Sequence, residues 1–281
     1  MKTVLVTGGV GFIGSHFVRH ILNTYGDYRV INIDKLTYAG NLKNLADLED
    51  DPRYEFVHGD IGNSDLVTHL MQRVNLVVNF AAESHVDRSI MGAEDFMRSN
   101  ALAVYTLLDA ARRCGVERFL QVSTDEVYGS LAEGEAPWTE NSPLAPRNPY
   151  SVAKAAGDMM AQSFAITYNM PVVITRASNN IGPFQYPEKR VPLFITNAID
   201  DQSLPVYGDG SAVRDHLFVT DHCEAIDLVL HRGGVGEAYN VGGENEANGM
   251  HVVEKILAVL EKPRDLIQHV VDRPGHDMKY S

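Results

Sequence analysis

A glycine-rich turn at residues 8–14 constrains the fold of this chain more than any other feature. The turn reads Gly-Gly-Val-Gly-Phe-Ile-Gly, follows the apolar run at 4–6 and opens an amphipathic segment at 12–23. Glycines between a strand and a helix let the backbone approach a pyrophosphate, which the amides and dipole of the helix amino terminus stabilise. A turn of this kind can also be only a tight strand-to-helix connection, so the spacing alone is a weak indication.

Short β-branched runs alternate with longer helical patterns up to residue 177. The pattern predicts strands at 4–6, 30–33, 54–57, 76–80, 119–123 and 172–175, and helices at 12–23, 64–73, 94–113 and 149–168. This order predicts an α/β fold, a doubly wound parallel Rossmann-type sheet, over residues 1–177. Residues 178–281 are punctuated by proline and glycine, and we expect a smaller, loop-rich C-terminal substrate lobe there, partly interleaved with the first domain.

Composition excludes several classes of function. The net charge of −13 argues against a nucleic-acid binder, which normally carries a basic face. Cys114 and Cys223 are the only cysteines, so neither a disulfide framework nor a thiolate metal site is indicated, and no metal is expected. Since no apolar run reaches membrane-spanning length and the amino terminus enters a strand directly, we expect a soluble protein in the reducing cytoplasm.

Acidic and small residues at predicted strand ends indicate which dinucleotide the glycine turn binds. Asp34 lies 20 residues after Gly14, where a carboxylate would accept hydrogen bonds from a ribose 2′-hydroxyl and repel a 2′-phosphate. The sequence therefore favours NAD over NADP. Asp60-Ile61 and Ala81-Ala82 follow the third and fourth strands, where the adenine and ribose should lie, although Asp60 alone could equally cap a helix.

Two further groups at the same sheet edge carry reactive chemistry. Thr124, Asp125 and Glu126 end the fifth predicted strand, and a carboxylic acid beside a carboxylate base can expel water next to a ketone. Tyr150 and Lys154 are four residues apart on a predicted helix, so they share a face. A nearby ammonium and the positive nicotinamide lower the pKa of a tyrosine and let it accept a proton from an alcohol. Together they suggest a dehydration that begins with an oxidation, although an acidic strand-end turn and an amphipathic Tyr/Lys pair are both common structural features.

Six longer segments make the chain resemble a known family. They lie at 34–42 (DKLTYAGNL), 81–90 (AAESHVDRSI), 123–129 (STDEVYG), 178–183 (SNNIGP), 205–210 (PVYGDG) and 273–277 (RPGHD). With them the chain resembles the extended short-chain dehydrogenases/reductases and, among these, the dTDP-glucose 4,6-dehydratases. One departure is Gly249, preceded by Asn248, where the family usually has an asparagine.

The resemblance implies a role for each reactive side chain. Tyr150 would take the proton of the substrate C4 hydroxyl while the C4 hydride passes to NAD, with Thr124 bonded to the same oxygen and Lys154 supporting Tyr150 and the nicotinamide ribose. Glu126 would then remove the C5 proton, and Asp125 would protonate the departing C6 hydroxyl. The hydride would finally return to C6.

The resemblance also implies the binding residues and the assembly. Those for NAD are Gly8, Gly11, Phe12, Ile13, Gly14, Asp34, Lys35, Leu36, Thr37, Asp60, Ile61, Ala81, Ala82, Ser84, Asn100, Tyr150, Lys154 and Asn180. Those for the dTDP-glucose substrate are His85, Thr124, Asn179, Lys189, Arg190, Pro205, Tyr207, Arg214, Arg273 and His276. Lysine and arginine in the second set would offset a diphosphate on an acidic protein, although any one of them alone could be a solvated surface charge. A homodimer through the helices at 94–113 and 149–168 is expected as well.

Two other functions are compatible with the same cofactor half. An NAD-dependent UDP-sugar epimerase or decarboxylase would give Asp125 and Glu126 no elimination to perform. An NAD-binding regulator would need no reactive group at all. The set of Thr124, Asp125, Glu126, Tyr150 and Lys154 argues against both alternatives.

Overall fold

The computed structural model describes residues 1–132, 134–272 and 277–280. The strands are β1 (Lys2–Thr7), β2 (Tyr28–Asp34), β3 (Tyr54–His58), β4 (Leu76–Asn79), β5 (Arg118–Thr124), β6 (Val172–Ala177), β7 (Asn179–Ile181), β8 (Leu204–Tyr207), β9 (Val213–Phe218), β10 (Ala238–Val241), β11 (Glu246–Asn248) and β12 (Ile267–Val270). The first six coincide with the six predicted strands to within two residues at each end.

The helices are α1 (Phe12–Thr24), α2 (Ser64–Met71), α3 (Val86–Met91), α4 (Glu94–Met97), α5 (Ala103–Cys114), α6 (Pro149–Tyr168), α7 (Arg190–Ile199), α8 (Val219–Arg232) and α9 (Gly249–Val259). A π-helical turn, Arg98–Leu102, joins α4 to α5, so the helix predicted at 94–113 contains an irregular turn. Short 3-10 helices lie at Leu42–Leu48, Asp125–Tyr128 and Arg264–Leu266. Asn148 caps α6 with its side chain and Pro149 occupies the first turn, which explains why this helix begins where the sequence predicts.

The main sheet has seven parallel strands in the order β10-β6-β5-β4-β1-β2-β3. β1 lies at the point where the order reverses, paired with β2 on one side and β4 on the other. In sheets of this kind the crevice beyond the carboxyl ends of such strands binds ligands. The topology confirms the predicted α/β doubly wound class and places the glycine turn at that crevice.

Both faces of the sheet are covered by helices, as a parallel sheet requires. Buried residues of α2, α5 and α6, including Leu107 and Ala161, pack against Phe119 and Ile174 on one face. Those of α1 and α8 pack on the other face, where Phe17 and Ile226 belong to the same core. Because the strands are held from both sides, their carboxyl ends form a fixed platform for the site.

Residues beyond 177 complete the main sheet and also build a smaller lobe beside it. α8 covers the main sheet, and β10 adds a parallel edge strand beside β6. The remainder forms a small sheet of β11-β9-β7, a β8-β12 pair, and a separate core between α7 and α9. The division of the chain at residue 177 stays a prediction. Within the described ranges no helix combines the length and apolar character that a membrane span requires.

Candidate active site

Two adjoining cavities open at the carboxyl edge of the main sheet. The first, of about 320 Å³, lies over the glycine turn and the ends of β1, β2, β4 and β5. The second, of about 240 Å³, lies between this edge and the lobe built by α7, β8 and β9. The residues that line both are Glu126, Asn179, Asn180, Gln185, Glu188 and Lys189. A ligand spanning the two cavities would therefore lie against this shared wall, which includes Glu126.

The glycine turn is shaped for a close backbone approach. Gly8 has φ +69°, and a Cβ there would lie 2.8 Å from the backbone nitrogen of Ala81. Gly11 is the N-cap of α1 without a side-chain cap, and Phe12 and Ile13 of the first turn line the first cavity. The amides of this turn are therefore placed to bind an anionic group, as a pyrophosphate requires.

Asn32, which sequence reasoning missed, holds the turn from below. Its Oδ1 accepts a hydrogen bond from the Gly9 amide at 2.9 Å, and its Nδ2 donates to the hydroxyl of Tyr54 at 2.9 Å. The signal in the sequence is a lone amide within an otherwise apolar strand, because a buried polar group needs hydrogen-bond partners. Asn32 therefore fixes the turn against the end of β2.

Asp34 is 9% exposed at the end of β2 and faces the first cavity. Its carboxylate accepts hydrogen bonds from the amides of Leu36 at 2.9 Å and Val10 at 3.3 Å. Burial raises the pKa of this carboxyl, while those two amides oppose the rise. The neighbouring ammonium of Lys35 lies 3.1 Å from a carboxylate oxygen of Asp60. The ammonium of Lys35 could have contacted a 2′-phosphate, but here it is paired with Asp60.

Most residues expected to bind NAD lie together on the wall of the first cavity. They are Gly8, Gly11, Phe12, Ile13, Gly14, Asp34, Lys35, Thr37, Asp60, Ile61, Ala81, Ala82, Ser84, Tyr150, Lys154 and Asn180. Leu36 and Asn100 are not among the residues that line this cavity. Asn100 is buried, and its amide accepts from the backbone nitrogen of Glu83 at 2.9 Å and donates to its carbonyl at 2.8 Å. It therefore orders the loop after β4.

The reactive acids begin where β5 ends. The hydroxyl of Thr124 accepts from the amide of Glu126 at 3.3 Å, so Thr124 caps the 3-10 helix that carries both carboxyls. The same hydroxyl donates to Asp125 Oδ1 at 3.2 Å. Asp125 Oδ2 is buried and has no hydrogen-bond partner among the described residues. The strand end thus holds two adjacent carboxyls in different surroundings.

Tyr150 and Lys154 occupy one face of α6 opposite this turn. Tyr150 is 9% exposed and Lys154 is 6% exposed, and both line the first cavity. The ammonium of Lys154 donates to the carbonyl of Val122 on β5 at 2.7 Å, which anchors the helix to the strand that carries Thr124. The structure therefore brings together the four chain positions that the sequence associated only by pattern: Thr124, Glu126, Tyr150 and Lys154.

Burial sets the protonation of these groups. It raises the pKa of Asp125 to about 8, with the neighbouring Glu126 carboxylate adding to the rise, so Asp125 is protonated at neutral pH. It lowers the pKa of Lys154 to about 8, a shift opposed by the carboxylate of Asp158. Burial and the charge of Glu126 both raise the pKa of Tyr150. One acid, one base and one cation therefore coexist in a single site, as acid–base catalysis needs.

The residues expected to bind substrate line the second cavity from several elements. They are His85, Asn179, Lys189, Arg190, Pro205, Tyr207 and Arg214, while Thr124 lies in the first cavity. Arg273 and His276 lie outside the described residues. Asn248 caps α9 by accepting from the amide of His251 at 2.7 Å, and Gly249 lines the second cavity. The asparagine beside Gly249 is thus engaged in starting a helix.

Side chains of the second cavity are joined across loops. The hydroxyl of Tyr207 donates to Asp87 at 2.9 Å, and the guanidinium of Arg190 lies 3.3 Å from the imidazole of His216. Arg214 donates to the carbonyl of Asp277 at 2.7 Å and lies over the ring of Tyr280, 4.4 Å from its centroid. Arg214 therefore fastens residues 277–280 to the cavity in addition to lining it.

Glu188 and His222 are further residues of the site that sequence reasoning missed. Glu188 lies in both cavity walls and accepts from the hydroxyl of Tyr38 at 2.9 Å. His222 is fully buried and lies 2.9 Å from the amide of Asn180. Burial lowers the pKa of His222 to about 3, so its ring is neutral. Both reach the site from loops and helices far along the chain, and no local pattern marks them.

Comparison with known proteins places this arrangement in a family. A family model described as GDP-mannose 4,6 dehydratase matches residues 5–280. The low-salt glycan biosynthesis protein Agl12 of Haloferax volcanii is 51% identical over 99% of this chain and 89% of that protein. A dTDP-glucose 4,6-dehydratase of Streptomyces niveus is 50% identical over 99% of this chain and 83% of that protein.

A solved structure agrees with the sequence relatives. The crystal structure of DesIV, a dTDP-glucose 4,6-dehydratase from Streptomyces venezuelae with NAD and a second ligand bound, has a TM-score of 0.97 and 48% identity. The match covers 99% of this chain and 87% of that chain. Because the family model matches residues 5–280 and these relatives are about 50% identical, the chain belongs to the GDP-mannose 4,6-dehydratase family. Its relatives include dTDP-glucose 4,6-dehydratases.

Proposed function

We propose that this protein is an NAD-dependent dTDP-glucose 4,6-dehydratase, a hydro-lyase that converts dTDP-glucose to dTDP-4-keto-6-deoxyglucose. The observation that carries the proposal is the arrangement at the end of β5: Glu126, Tyr150 and Lys154 line the first cavity, and Asp125 lies half-buried beside Glu126 with a pKa that burial raises to about 8. The relatives named above support the substrate, since a dTDP-glucose 4,6-dehydratase matches nearly the whole chain at 50% identity.

The residues of the first cavity fit NAD. The α1 amino terminus would hold the pyrophosphate, and Asp34 would accept hydrogen bonds from the adenosine ribose. When bound, NAD supplies a hydride acceptor that becomes a hydride donor later in the same cycle. Burial and Glu126 raise the pKa of Tyr150, and the positive charge of a nicotinamide bound beside it would oppose that rise.

Tyr150 and Thr124 act in the oxidation. Tyr150 accepts the proton of the C4 hydroxyl as the C4 hydride leaves, and the Thr124 hydroxyl is bonded to the same oxygen. Lys154, held by the carbonyl of Val122, supplies the positive charge that stabilises the tyrosinate. The product of this step is a C4 ketone, which makes the adjacent C5 proton acidic.

Glu126 and Asp125 act in the elimination. Glu126 takes the C5 proton, the C5–H electron pair forms the C5–C6 double bond, and the C6–O bond breaks as Asp125 donates its proton to the leaving hydroxyl. Water is released, and Glu126 protonates C5 after its own proton has exchanged with solvent, while bound NAD would supply the hydride for C6. Asp125 suits this role because burial and the Glu126 carboxylate keep its proton in place at neutral pH.

The second cavity would hold the nucleotide. Lys189, Arg190 and Arg214 line it and would offset the diphosphate, for which a planar guanidinium is well suited. We further propose a homodimer in the cytoplasm, formed through α5 and α6. The apolar side chains Tyr105, Met159 and Ile166 are 47%, 61% and 84% exposed on these helices, which supports a contact there.

Turnover across dTDP-, UDP- and GDP-sugars, with substrate deuterated at C4, tests the reaction. A redox-neutral dehydration returns the same hydride, so we expect dTDP-glucose to give a keto product carrying deuterium at C6. In heavy water, unlabelled substrate should gain deuterium at C5 through Glu126. Return of the label to C4 with inverted configuration would favour an epimerase, and binding of NAD without any turnover would favour a regulator.

A further inference from the structure

A buried ion pair lies directly behind the catalytic helix face. Asp158 is on α6, four residues after Lys154, and Arg176 is on the neighbouring strand β6. The Nε of Arg176 donates to Asp158 Oδ2 at 3.0 Å, with 2% and 0% of the two side chains exposed. Removing two charges from water costs free energy that their attraction barely offsets, so such a pair is weak evidence for a purely stabilising role.

Arg176 is held in place by a chain of hydrogen bonds that leads to β10. Arg176 donates to the hydroxyl of Tyr128 at 2.8 Å, and Tyr128 donates to the amide of Asn240 on β10 at 2.7 Å. Burial raises the pKa of Asp158, whereas Arg176 and Lys154 favour its charged form. Neither Asp158 nor Arg176 is on the described walls of the two cavities, so the pair acts on the site through neighbouring groups, among which Lys154 is four residues away on the same helix.

Asp158 is the acidic group that favours the charged form of Lys154. Burial lowers the pKa of Lys154, and Asp158 is the group that opposes the shift. Glu126 and Tyr128 face α6 from the 3-10 helix, and Asp125 lies beside Glu126. The remaining charged residues of the elements packed on α6 are half-buried or exposed, and they are Asp87, Arg88, Glu94, Asp95, Arg98, Asp109, Arg112, Arg113 and Arg118.

We propose that Asp158 is a positioning residue that keeps the ammonium of Lys154 charged beside Tyr150, and that Arg176 keeps Asp158 ionised and correctly oriented. The catalytic meaning of that charge rests on the function proposed above. The arrangement explains why a carboxylate is buried among two cations at the back of the site. A buried ammonium without a counterion would lose its proton near neutral pH.

The test measures the titration of Lys154 directly in the NAD-bound protein. With lysine labelled by carbon-13 at Cε, we expect one resonance to titrate near pH 8, apart from the other lysines, and to disappear in Lys154→Met. Asp158→Asn should move this midpoint down by about one to three units, a tenfold or greater loss of proton affinity, because an opposite charge has been removed. Asp158→Glu should keep the midpoint near its original value.

Two further variants separate electrostatics from packing. Asp227→Asn is the matched control, since this buried carboxylate bonds to His20 and Tyr25 between α1 and α8, far from Lys154, and its loss should leave the midpoint unchanged. If Asp158→Asn fails to fold with Arg176 unpaired, the double variant Asp158→Asn/Arg176→Met removes both charges and should still lower the midpoint. An unmoved midpoint in whichever of these two variants folds would overturn the proposal.

Kinetics give an independent readout. The rate at which bound NAD is reduced after mixing with dTDP-glucose should decline as pH rises, because Lys154 loses its charge. In Asp158→Asn the midpoint of this decline should lie at a lower pH than in the unmodified protein, by the same shift as the resonance. A merely structural role would lower that rate equally at every pH. If the unmodified protein gives no keto product, the proposed function fails, yet the titration of Lys154 still decides the role of Asp158.

Discussion

The two cavities differ in how their walls are held. In the first, side chains are fixed by backbone groups in or just beyond the strands of the main sheet: Asp34 by the amides of Val10 and Leu36, and Lys154 by the carbonyl of Val122. In the second, side chains are joined to other side chains and to distant loops, as Tyr207 is to Asp87 and Arg214 to residues 277–280. Backbone support at strand ends is dictated by the fold, whereas contacts between loops depend on many separate positions.

The difference has a functional consequence. Proton transfer needs groups held within a fraction of an ångström, and strand ends and helix faces provide that precision. Recognition of a nucleotide needs several contacts from different directions, each of which contributes less. Substitutions of the reactive groups in the first cavity should therefore affect the rate of chemistry, and substitutions in the second should affect substrate binding.

Tyr150→Phe should have the largest effect. The ring and its packing against Phe96 are kept, but the group that accepts the C4 proton is lost, so oxidation cannot begin. We expect no reduced-nicotinamide absorbance after dTDP-glucose is added, with NAD binding retained. Tyr168→Phe, at the exposed end of the same helix, is the control and should be fully active. Normal nicotinamide reduction in Tyr150→Phe would remove this tyrosine from the oxidation.

Asp125→Asn and Glu126→Gln should each lower the rate of dehydration by about 10²–10⁴, since a positioned proton-transfer group is removed. Oxidation should survive, so both variants should still reduce bound NAD while forming little keto-deoxy product. The exposed Glu254→Gln controls for the change of charge. Near-normal product formation in either active-site variant would exclude that residue from the elimination.

Activity should fall as pH rises through about 8. Asp125 donates a proton and has a pKa raised to about 8, so the fraction able to act as an acid declines about tenfold for each unit above that value. Lys154 loses its charge in the same range, because its pKa is lowered to about 8. Stopped-flow spectra separate the two effects. The rate of nicotinamide reduction should depend on the charge of Lys154, and the rate of water elimination should depend on the proton of Asp125. A rate that stays constant up to pH 10 would contradict both assignments.

Arg214→Ala tests the second cavity. One charge-assisted contact to the diphosphate would be lost, about 1.5–3 kcal/mol or roughly ten- to hundredfold in substrate binding, with NAD binding little changed. The exposed Arg264→Ala removes a cation far from the cavities and should bind both ligands normally. Because Arg214 also holds residues 277–280, the thermal midpoint must be measured alongside. Equal weakening of both ligands with a lowered midpoint would indicate that its role is structural.

The first cavity was largely predictable from sequence because its residues follow strands in a fixed order. A glycine turn, an acid at the end of β2 and a polar cluster at the end of β5 must meet at one edge once the sheet is parallel. The same reasoning could not find His222, because it reaches the cavity from α8 and its partner Asn180 is 42 residues away. Packing of distant elements leaves no periodic signal in either segment.

The later part of the chain was less predictable for a related reason. β10 is a four-residue strand that pairs with β6 across a connection containing α8, and its sequence, Ala-Tyr-Asn-Val, carries no strong strand pattern. The residues of the second cavity were indicated only by resemblance to a family. The pair of Asp158 and Arg176 was also missed, since a charged residue on a helix normally indicates an exposed face.

The smallest expected effect concerns the choice between NAD and NADP. At this site Asp34 is held by backbone amides and Lys35 is held by the side chain of Asp60. Asp34 should make the unmodified protein bind NAD more tightly than NADP, because a 2′-phosphate would face its carboxylate. Lys35 could relieve that repulsion but is paired with Asp60, and each of these two side chains is about half exposed. Asp60→Asn should release Lys35 and improve NADP binding by no more than about fivefold, since exposed pairs contribute about 0–1 kcal/mol. Titrating both cofactors into the unmodified and variant proteins measures the change, and tighter binding of NADP than NAD before any substitution would overturn the assignment of Asp34.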